Sequence, residues 1–276
     1  MQLKFTKMHG TGNDFMMINL ISQQGSLSSQ QIKKLADRRF GIGFDQLLIV
    51  EAPTDPEADF RYRIYNADGA EVEQCGNGAR CFARFVHDQK LTWKNQLRVQ
   101  TLGGTLVLTL QDFEHVLVNM GIPELAPEKI PFIAEQAAVQ YDLELNGKTY
   151  QVGAVSMGNP HLVLVVDDID TAPLETLGPL LESHPRFPNR VNVGFMQVES
   201  ADRIRLRVFE RGVGETLSCG TGACAAVVSG QQRGLLGQQV HVTLSGGELN
   251  VQWSGDQQPV MMSGPATKVY EGIVRL

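Results

Sequence analysis

The chain repeats itself once, at about half its length of 276 residues, and this constrains the fold more than any other feature of the sequence. Residues 61–80 read Arg-Tyr-Arg-Ile-Tyr-Asn-Ala-Asp-Gly-Ala-Glu-Val-Glu-Gln-Cys-Gly-Asn-Gly-Ala-Arg. Residues 205–224 read Arg-Leu-Arg-Val-Phe-Glu-Arg-Gly-Val-Gly-Glu-Thr-Leu-Ser-Cys-Gly-Thr-Gly-Ala-Cys. Seven of these 20 positions are identical at an offset of 144, where this composition gives roughly one by chance. The identities include Cys75/Cys219, Gly76/Gly220, Gly78/Gly222 and Ala79/Ala223. Downstream, Arg98–Gly104 echoes His241–Gly247; upstream, Ile42–Gln46 faces Val193–Gln197, and Gly12-Asn13 faces Gly158-Asn159. Two homologous halves therefore account for the length better than two unrelated domains.

The join is expected within 121–134, where Pro123, Pro127 and Pro131 interrupt both helix and central-strand pairing. This gives a first domain of 1–120, completed by a C-terminal strand at 266–276, and a second of 121–265. Strand signals outnumber helix signals in each half. Phe60–Asn66 and Ile204–Glu210 alternate polar and apolar residues, as half-buried strands do. Leu97–Thr101, Thr105–Leu110 and Val116–Met120 have counterparts at Val240–Leu244 and Glu248–Trp253, with Gly-Gly hairpin turns. Helices are expected at Ala79–Gln89 and Ala223–Gln232, and at Ser28–Arg38 and Pro173–Ser183. The fold class is α+β, a mostly antiparallel sheet with packed helices, used twice.

Charge and composition narrow the function. With 24 Lys+Arg against 30 Asp+Glu the net charge is −6, which argues against a nucleic-acid partner because phosphate binding needs a basic face. Runs such as Leu162–Val166 are too short to span a bilayer, and Met1–Phe5 leads into polar residues without a secretory core. No membrane association is expected, and the location expected is cytoplasmic. Four cysteines, at 75, 81, 219 and 224, are too few for a disulfide scaffold in a chain this long. Their spacing, with no His near either pair, is poor for zinc, so no metal is expected.

Cys-Gly-Asn-Gly and Cys-Gly-Thr-Gly each place a thiol at the mouth of a helix. Free N–H groups and the positive dipole end favour an anion there, and a carboxylate suits an acidic chain without a phosphate loop. The same field is expected to lower the thiol pKa toward neutrality. Cys81 and Cys224, by contrast, read as small apolar fillers inside the helices. If two like halves close over one ligand, their thiols face each other across it. A stereoinverting proton transfer needs that arrangement, with one base on each face of a carbon. Gly10-Thr11-Gly12 and Gly41-Ile42-Gly43 are too short to count as nucleotide fingerprints, so no cofactor is expected.

Several motifs run in order along the whole chain: His9–Phe15, Phe44-Asp45-Gln46, Tyr65–Gly69, Gln74–Cys81, Gly158–His161, Asn192–Phe195, Glu210-Arg211-Gly212 and Cys219–Cys224. Together they resemble the diaminopimelate epimerase family. The resemblance implies cofactor-independent interconversion of LL- and meso-2,6-diaminopimelate, on the route to lysine and peptidoglycan. It also implies two pseudosymmetric domains, each a barrel-like sheet around a central helix, with the site in the cleft between them. Carried over by position, Cys75 and Cys219 match the two catalytic bases, and His161 and Glu210 match groups supporting the chemistry. Gly76, Asn77, Gly220 and Thr221 match the backbone donors that hold the reacting carboxylate. Asn13, Gln46, Asn66, Asn159, Asn192, Glu210 and Arg211 match the substrate pocket, and Tyr270 a homodimer interface.

The chemistry of the substrate agrees with this set. Diaminopimelate carries two ammonium–carboxylate ends, so one must be held while the other reacts. Arg211 can grip a carboxylate, Glu210 can receive an ammonium, and Asn side chains serve both without net charge. Taken singly, each Asn or Gln reads more readily as a turn or surface residue than as a ligand of substrate. His161 alone could end a turn, and Tyr270 could be core. Asn66 and Glu210 are better marked, each nine residues before its cysteine. Two other readings compete: a proline racemase-like enzyme, which has no need of groups for a distal zwitterion, and a redox sensor whose thiols pair on oxidation.

Overall fold

The computed structural model describes residues 2–72, 75–112 and 114–276. Met1, Glu73 and Gln74, quoted above, lie outside them. In chain order, the first stretch forms β1 Gln2–Gly10, β2 Asn13–Asn19, α1 Ser29–Ala36, β3 Gln46–Glu51, β4 Phe60–Asn66, β5 Glu71–Val72, α2 Gly76–Asp88, β6 Gln96–Thr101, β7 Gly104–Leu110 and β8 His115–Asn119. The second forms β9 Tyr141–Leu145, β10 Lys148–Ser156, β11 Pro160–Val165, α3 Leu174–Glu182, β12 Asn192–Ser200, β13 Arg203–Glu210, β14 Gly214–Thr216, α4 Gly220–Gln232, β15 Gln239–Leu244 and β16 Gly247–Gln252. β17 Met261–Pro265 and β18 Thr267–Arg275 close the chain. The first compact unit ends at Asn119 and takes back Ser263–Leu276; the second is Met120–Met262. Those divisions lie one and three residues from the ones expected from the repeat.

The two units share a strand order, although the first takes its outer strand, β18, from the C-terminus where the second uses β9, which directly precedes β10. Pairing in the first runs β18, β1, β2, β3, β4, β6, β7, β8, with β5 added to β4. In the second it runs β9, β10, β11, β12, β13, β15, β16, with β14 added to β13. Among the described pairings, two steps in each unit are parallel, β2–β3 and β4–β6 in one, β11–β12 and β13–β15 in the other. The remaining steps are antiparallel.

Each sheet curls around its central helix. α2 packs on β1 and β2 and also on β7 and β8, at the far end of the strand order, and α4 touches both β10 and β16. Both helices are buried almost all round; α4 accordingly lacks a polar face, whereas α2 carries a stripe of Asn77, Arg80 and Arg84 that is buried with the rest. α1 and α3 cover the outside of the sheets. Leu162, Leu164, Val193 and Phe195 pack with Leu174, Leu177 and Leu181 of α3, while Val163 and Met196 pack with α4. Strands buried on both faces lose polar alternation, and this is why Leu162–Val166 reads as an unbroken apolar run.

The helices begin earlier than the sequence suggested. Cys75 and Cys219 are themselves the N-caps, and Cys-Gly-X-Gly supplies the first turn rather than a preceding loop. A Cβ at Gly222 would lie 3.1 Å from Val208 Cγ2 and 3.3 Å from Cys219 Sγ. Glycine there lets the helix end approach the sheet while leaving room for the thiol. The pairing of Ile42–Gln46 with Val193–Gln197 also needs correction. Gln46 opens β3 opposite Phe15, and Asn192 opens β12 opposite His161. The counterpart of Gln46 is therefore Asn192, not Gln197. Gly43 lies in a turn at φ +75° before its strand, whereas Gly194 lies inside β12, so the shared Gly-Phe is coincidental.

Candidate active site

In each unit the strand ends and the helix N-terminus bring the expected residues to one edge of the sheet. In the first, Asn13 opens β2, Gln46 opens β3, Asn66 ends β4 and Cys75 caps α2. Gln46 and Asn66 are register partners, and Gln46 Nε2 donates to Asn66 Oδ1 at 2.9 Å. Asn13 Oδ1 accepts from Cys75 Sγ at 3.5 Å and from Asn77 Nδ2 at 3.4 Å. Behind the thiol, Arg80 is fully buried and reaches Thr11 Oγ1 at 3.3 Å and the Pro265 carbonyl at 3.2 Å. Asp14 sits beside Lys7 and Arg38. Burial works to raise its carboxyl pKa, but hydrogen bonds from Arg38 and Lys7 outweigh this and hold it far below the usual range.

The second unit repeats the plan with different side chains. Asn159 precedes β11, His161 lies within it, Asn192 opens β12, Glu210 ends β13 and Cys219 caps α4. His161 Nε2 lies 3.1 Å from Asn159 Oδ1, and Asn159 Nδ2 donates to Thr221 Oγ1 at 3.3 Å. Thr221 Oγ1 is 3.6 Å from Cys219 Sγ. Asn192 Nδ2 donates to the Pro160 carbonyl at 3.0 Å, and its Oδ1 accepts the Arg211 N–H at 3.0 Å. Glu210 accepts from Thr216 Oγ1 at 2.5 Å and also hydrogen-bonds the Cys219 thiol. Arg211 turns its Nη1 to the Asn189 carbonyl at 3.0 Å. Gly76 and Gly220 occupy the first helical positions. Tyr270 stands apart on β18, 44% exposed, its ring edge-on to Phe5 at 5.9 Å.

Among the described residues no disulfide joins any of the four cysteines. Cys81 and Cys224 are fully buried in their helices, and burial pushes the Cys81 thiol up to about 12. The expectation of a lowered pKa at both helix mouths is corrected at Cys219. Burial raises its pKa well above the ordinary value, and the Glu210 charge adds to this. The Thr221 hydroxyl and the Gly222 N–H, which stabilise the thiolate, offset only part. His161 is held down at about 3, first by burial and then by the Arg211 charge, so it is a neutral imidazole. Since Asn159 Oδ1 only accepts, Nε2 carries the ring proton and Nδ1 is the basic nitrogen.

Residues the motifs did not single out complete the site. Tyr62, Asp45 and Thr216 each contact a member of the expected set, and Glu182 accepts the N–H of Gly212, the neighbour of Arg211. Only Asp45 fell within a quoted motif, and its role there depends on strand pairing. Among the described residues no three His, Cys, Asp or Glu side chains gather as a metal-ligand set, and no helix is long and apolar enough to cross a membrane.

The chain is similar to known proteins in sequence and in fold. The family model described as diaminopimelate epimerase matches residues 5–126 and 153–269, one segment in each half. The diaminopimelate epimerase of Pseudomonas aeruginosa strain LESB58 is 58% identical over 276 residues, covering 100% of both chains. Among solved structures, a phenazine biosynthesis protein of the PhzF family from Bacillus anthracis superposes with a TM-score of 0.71 at 15% identity, covering 100% of both chains. A hydroxyproline epimerase from Agrobacterium vitis gives 0.68 at 15% identity, over 99% of this chain and 92% of that one. These two likenesses establish a shared fold. The full-length identity to the named relative and the family match in both halves go further: the chain belongs to the diaminopimelate epimerase family.

Proposed function

We propose that this chain interconverts LL- and meso-2,6-diaminopimelate by a two-base proton transfer between Cys75 and Cys219, without an organic cofactor. The observation that carries the reading is the doubled N-cap: each of two like units presents a thiol at the first turn of a buried helix. A single nucleophile would need only one such thiol. In the forward step one thiolate Sγ takes the α-proton, and the electron pair left on carbon spreads into the carboxylate. The N–H groups of Gly76, Asn77, Gly220 and Thr221 offer donors and dipole ends to that growing charge. The other thiol then gives its proton to the opposite face. The carbon is inverted, and the two thiols have exchanged protonation states.

Glu210, hydrogen-bonded to the Cys219 thiol, is the group placed to take its proton when substrate binds, because burial and the Glu210 charge together leave that thiol a weak acid. His161 acts as a neutral hydrogen-bonding base near the reacting carbon. Asn13, Gln46, Asn66, Asn159, Asn192, Glu210 and Arg211 form the substrate pocket, and a substrate lacking the distal zwitterion leaves part of that set unpaired. We further assign the protein to the cytoplasm and to a homodimer, with Tyr270 of β18 at the contact.

Incubation with LL-diaminopimelate in D2O, without added cofactor, tests the reaction through deuterium at the α-carbon and the change in optical rotation. Exchange with proline but not with diaminopimelate would transfer the assignment to a proline racemase-like activity. Cys75→Ala and Cys219→Ala are each expected to abolish epimerisation, and near wild-type turnover in either removes the two-base mechanism.

A further inference from the structure

In the first unit the Asn13 amide lies between a carboxylate and a thiol. Its Nδ2 donates to Asp45 Oδ2 at 2.9 Å, while its Oδ1 accepts from Cys75 Sγ at 3.5 Å and Asn77 Nδ2 at 3.4 Å. A carboxylate at neutral pH only accepts, so the amide nitrogen must face Asp45 and the oxygen must face the thiol. Reversed, the amide would set oxygen against oxygen at Asp45 and nitrogen against nitrogen at Asn77. Asp45 is half-exposed but firmly held. Its Oδ2 also accepts the Asp14 N–H at 3.1 Å, and its Oδ1 accepts from Arg38 Nη2 at 2.8 Å. Arg38 in turn grips both oxygens of Asp14, at 2.8 and 2.9 Å.

The second unit orients its matching asparagine by other means. Asn159 Oδ1 faces His161 Nε2, and its Nδ2 faces Thr221. By strand register His161 stands where the first unit has Phe15, and Val191 stands where it has Asp45. Each unit therefore fixes its asparagine with a group that the other lacks. In the first, the result is an acceptor aimed at the cysteine, which stabilises the protonated thiol over the thiolate.

We propose that Asp45 is a positioning residue for Cys75: through the Asn13 amide it holds an acceptor against the thiol and keeps Cys75 in its proton-donating form until a ligand replaces that contact. The proposal rests on Cys75 being one of the two proton-transfer groups. It assigns Asp45 and Arg38 to the reaction although neither needs to touch substrate.

Alkylation of the full-length protein by iodoacetamide at neutral pH, read by peptide mass at each cysteine, tests it. In Asp45→Ala the carboxylate that fixes Asn13 is gone, and the longer 3.4 Å contact from Asn77 Nδ2 holds the amide less firmly, so its Nδ2 can turn toward the sulfur. Cys75 is then expected to label about fivefold faster, the factor set by one ordinary hydrogen bond, with Cys219 in the same sample unchanged. Asp45→Asn lacks the charge but still offers an oxygen to Asn13, and it is expected to label within about twofold of wild type. Wild-type labelling of Cys75 in Asp45→Ala overturns the proposal. So does an Asp45→Asn variant as reactive as Asp45→Ala, because charge rather than amide orientation would then be responsible. If Asp45→Ala does not unfold cooperatively, Asp45→Gly takes its place under the same two outcomes. The labelling does not require turnover, so an active Cys75→Ala enzyme would sink the two-thiol reading and leave this comparison intact.

Discussion

The hydroxyl of Tyr62 accepts the backbone N–H of Cys75 at 3.1 Å. This ties the N-cap of α2 to the middle of β4. Tyr62 is 1% exposed and packs on Phe82 with ring centroids 5.3 Å apart. Burial raises its phenol pKa well above the ordinary value, so it remains neutral. In the other half the matching position is Leu206, which offers no acceptor. The first thiol is therefore held by a side chain that the second does without.

Tyr62→Phe keeps the ring and removes the acceptor. Stability is expected to fall by about 1–2 kcal/mol, because a buried N–H loses its partner. The Cys75 backbone then has more freedom, so kcat is expected to drop severalfold with KM little changed. Thermal unfolding and steady-state kinetics read the two effects separately. Wild-type kcat beside a lowered Tm would show that the hydrogen bond serves folding alone.

Glu182 ends α3 with its side chain 5% exposed, and it is joined to the Arg211 turn. One oxygen accepts the Gly212 N–H at 2.6 Å, the other Arg190 Nη2 at 2.9 Å. Removing a buried acceptor of two charge-assisted bonds costs about 2–4 kcal/mol, and Glu182→Ala is expected in that range by chemical denaturation. Glu182→Gln keeps one acceptor and should lose less. If Arg211 holds the distal end of the substrate, KM rises in both variants more than kcat falls. An equal fall of kcat with no change in KM would place the turn outside substrate binding.

His161 makes stability depend on pH. Its folded pKa of about 3 lies below the ordinary 6.5, so the unfolded chain binds a proton that the folded one refuses. The stability is therefore complete above pH 6.5 and is lost progressively as the pH falls toward 3. The slope from this one group reaches about 1.4 kcal/mol per pH unit. His161→Phe, copying Phe15 of the other half, is expected to flatten that part of the profile. Denaturant titrations at several pH values check it, and parallel profiles for the two proteins would reject the assignment.

The sequence exposes the repeat because identical residues stand at a fixed offset, and the nine-residue spacing already pairs Asn66 with Glu210. The pairing of Gln46 with Asn192 is hidden, since the two side chains differ and a stray Gly-Phe supports a false register. Asp45 reaches Asn13 across 32 residues, through the parallel pairing of β2 and β3, and no local spacing encodes that contact. The pKa of Cys219 escapes the sequence for a related reason. A helix dipole can be inferred from a motif, but the depth to which the sheet buries Cys219 depends on the whole unit.

The approach of α4 to β10 gives a last test, independent of the chemistry. A Cβ at Gly153 would fall 1.9 Å from Ser229 Oγ and 3.0 Å from Ser229 Cβ. Among the described residues the hydroxyl has no hydrogen-bond partner, and it fills the space above the glycine. Gly153→Ala is therefore expected to cost about 1–3 kcal/mol through overpacking. Ser229→Ala alone removes an unsatisfied buried group and is expected to be neutral or slightly stabilising. The two sites touch, so they should not be additive. Adding Ser229→Ala to Gly153→Ala should recover part of the loss, and Ser229→Gly, which also removes the second close atom, most of it. Urea unfolding of the four proteins in the cycle measures the coupling. Additive losses would mean that β10 shifts away from the helix instead of pressing on Ser229.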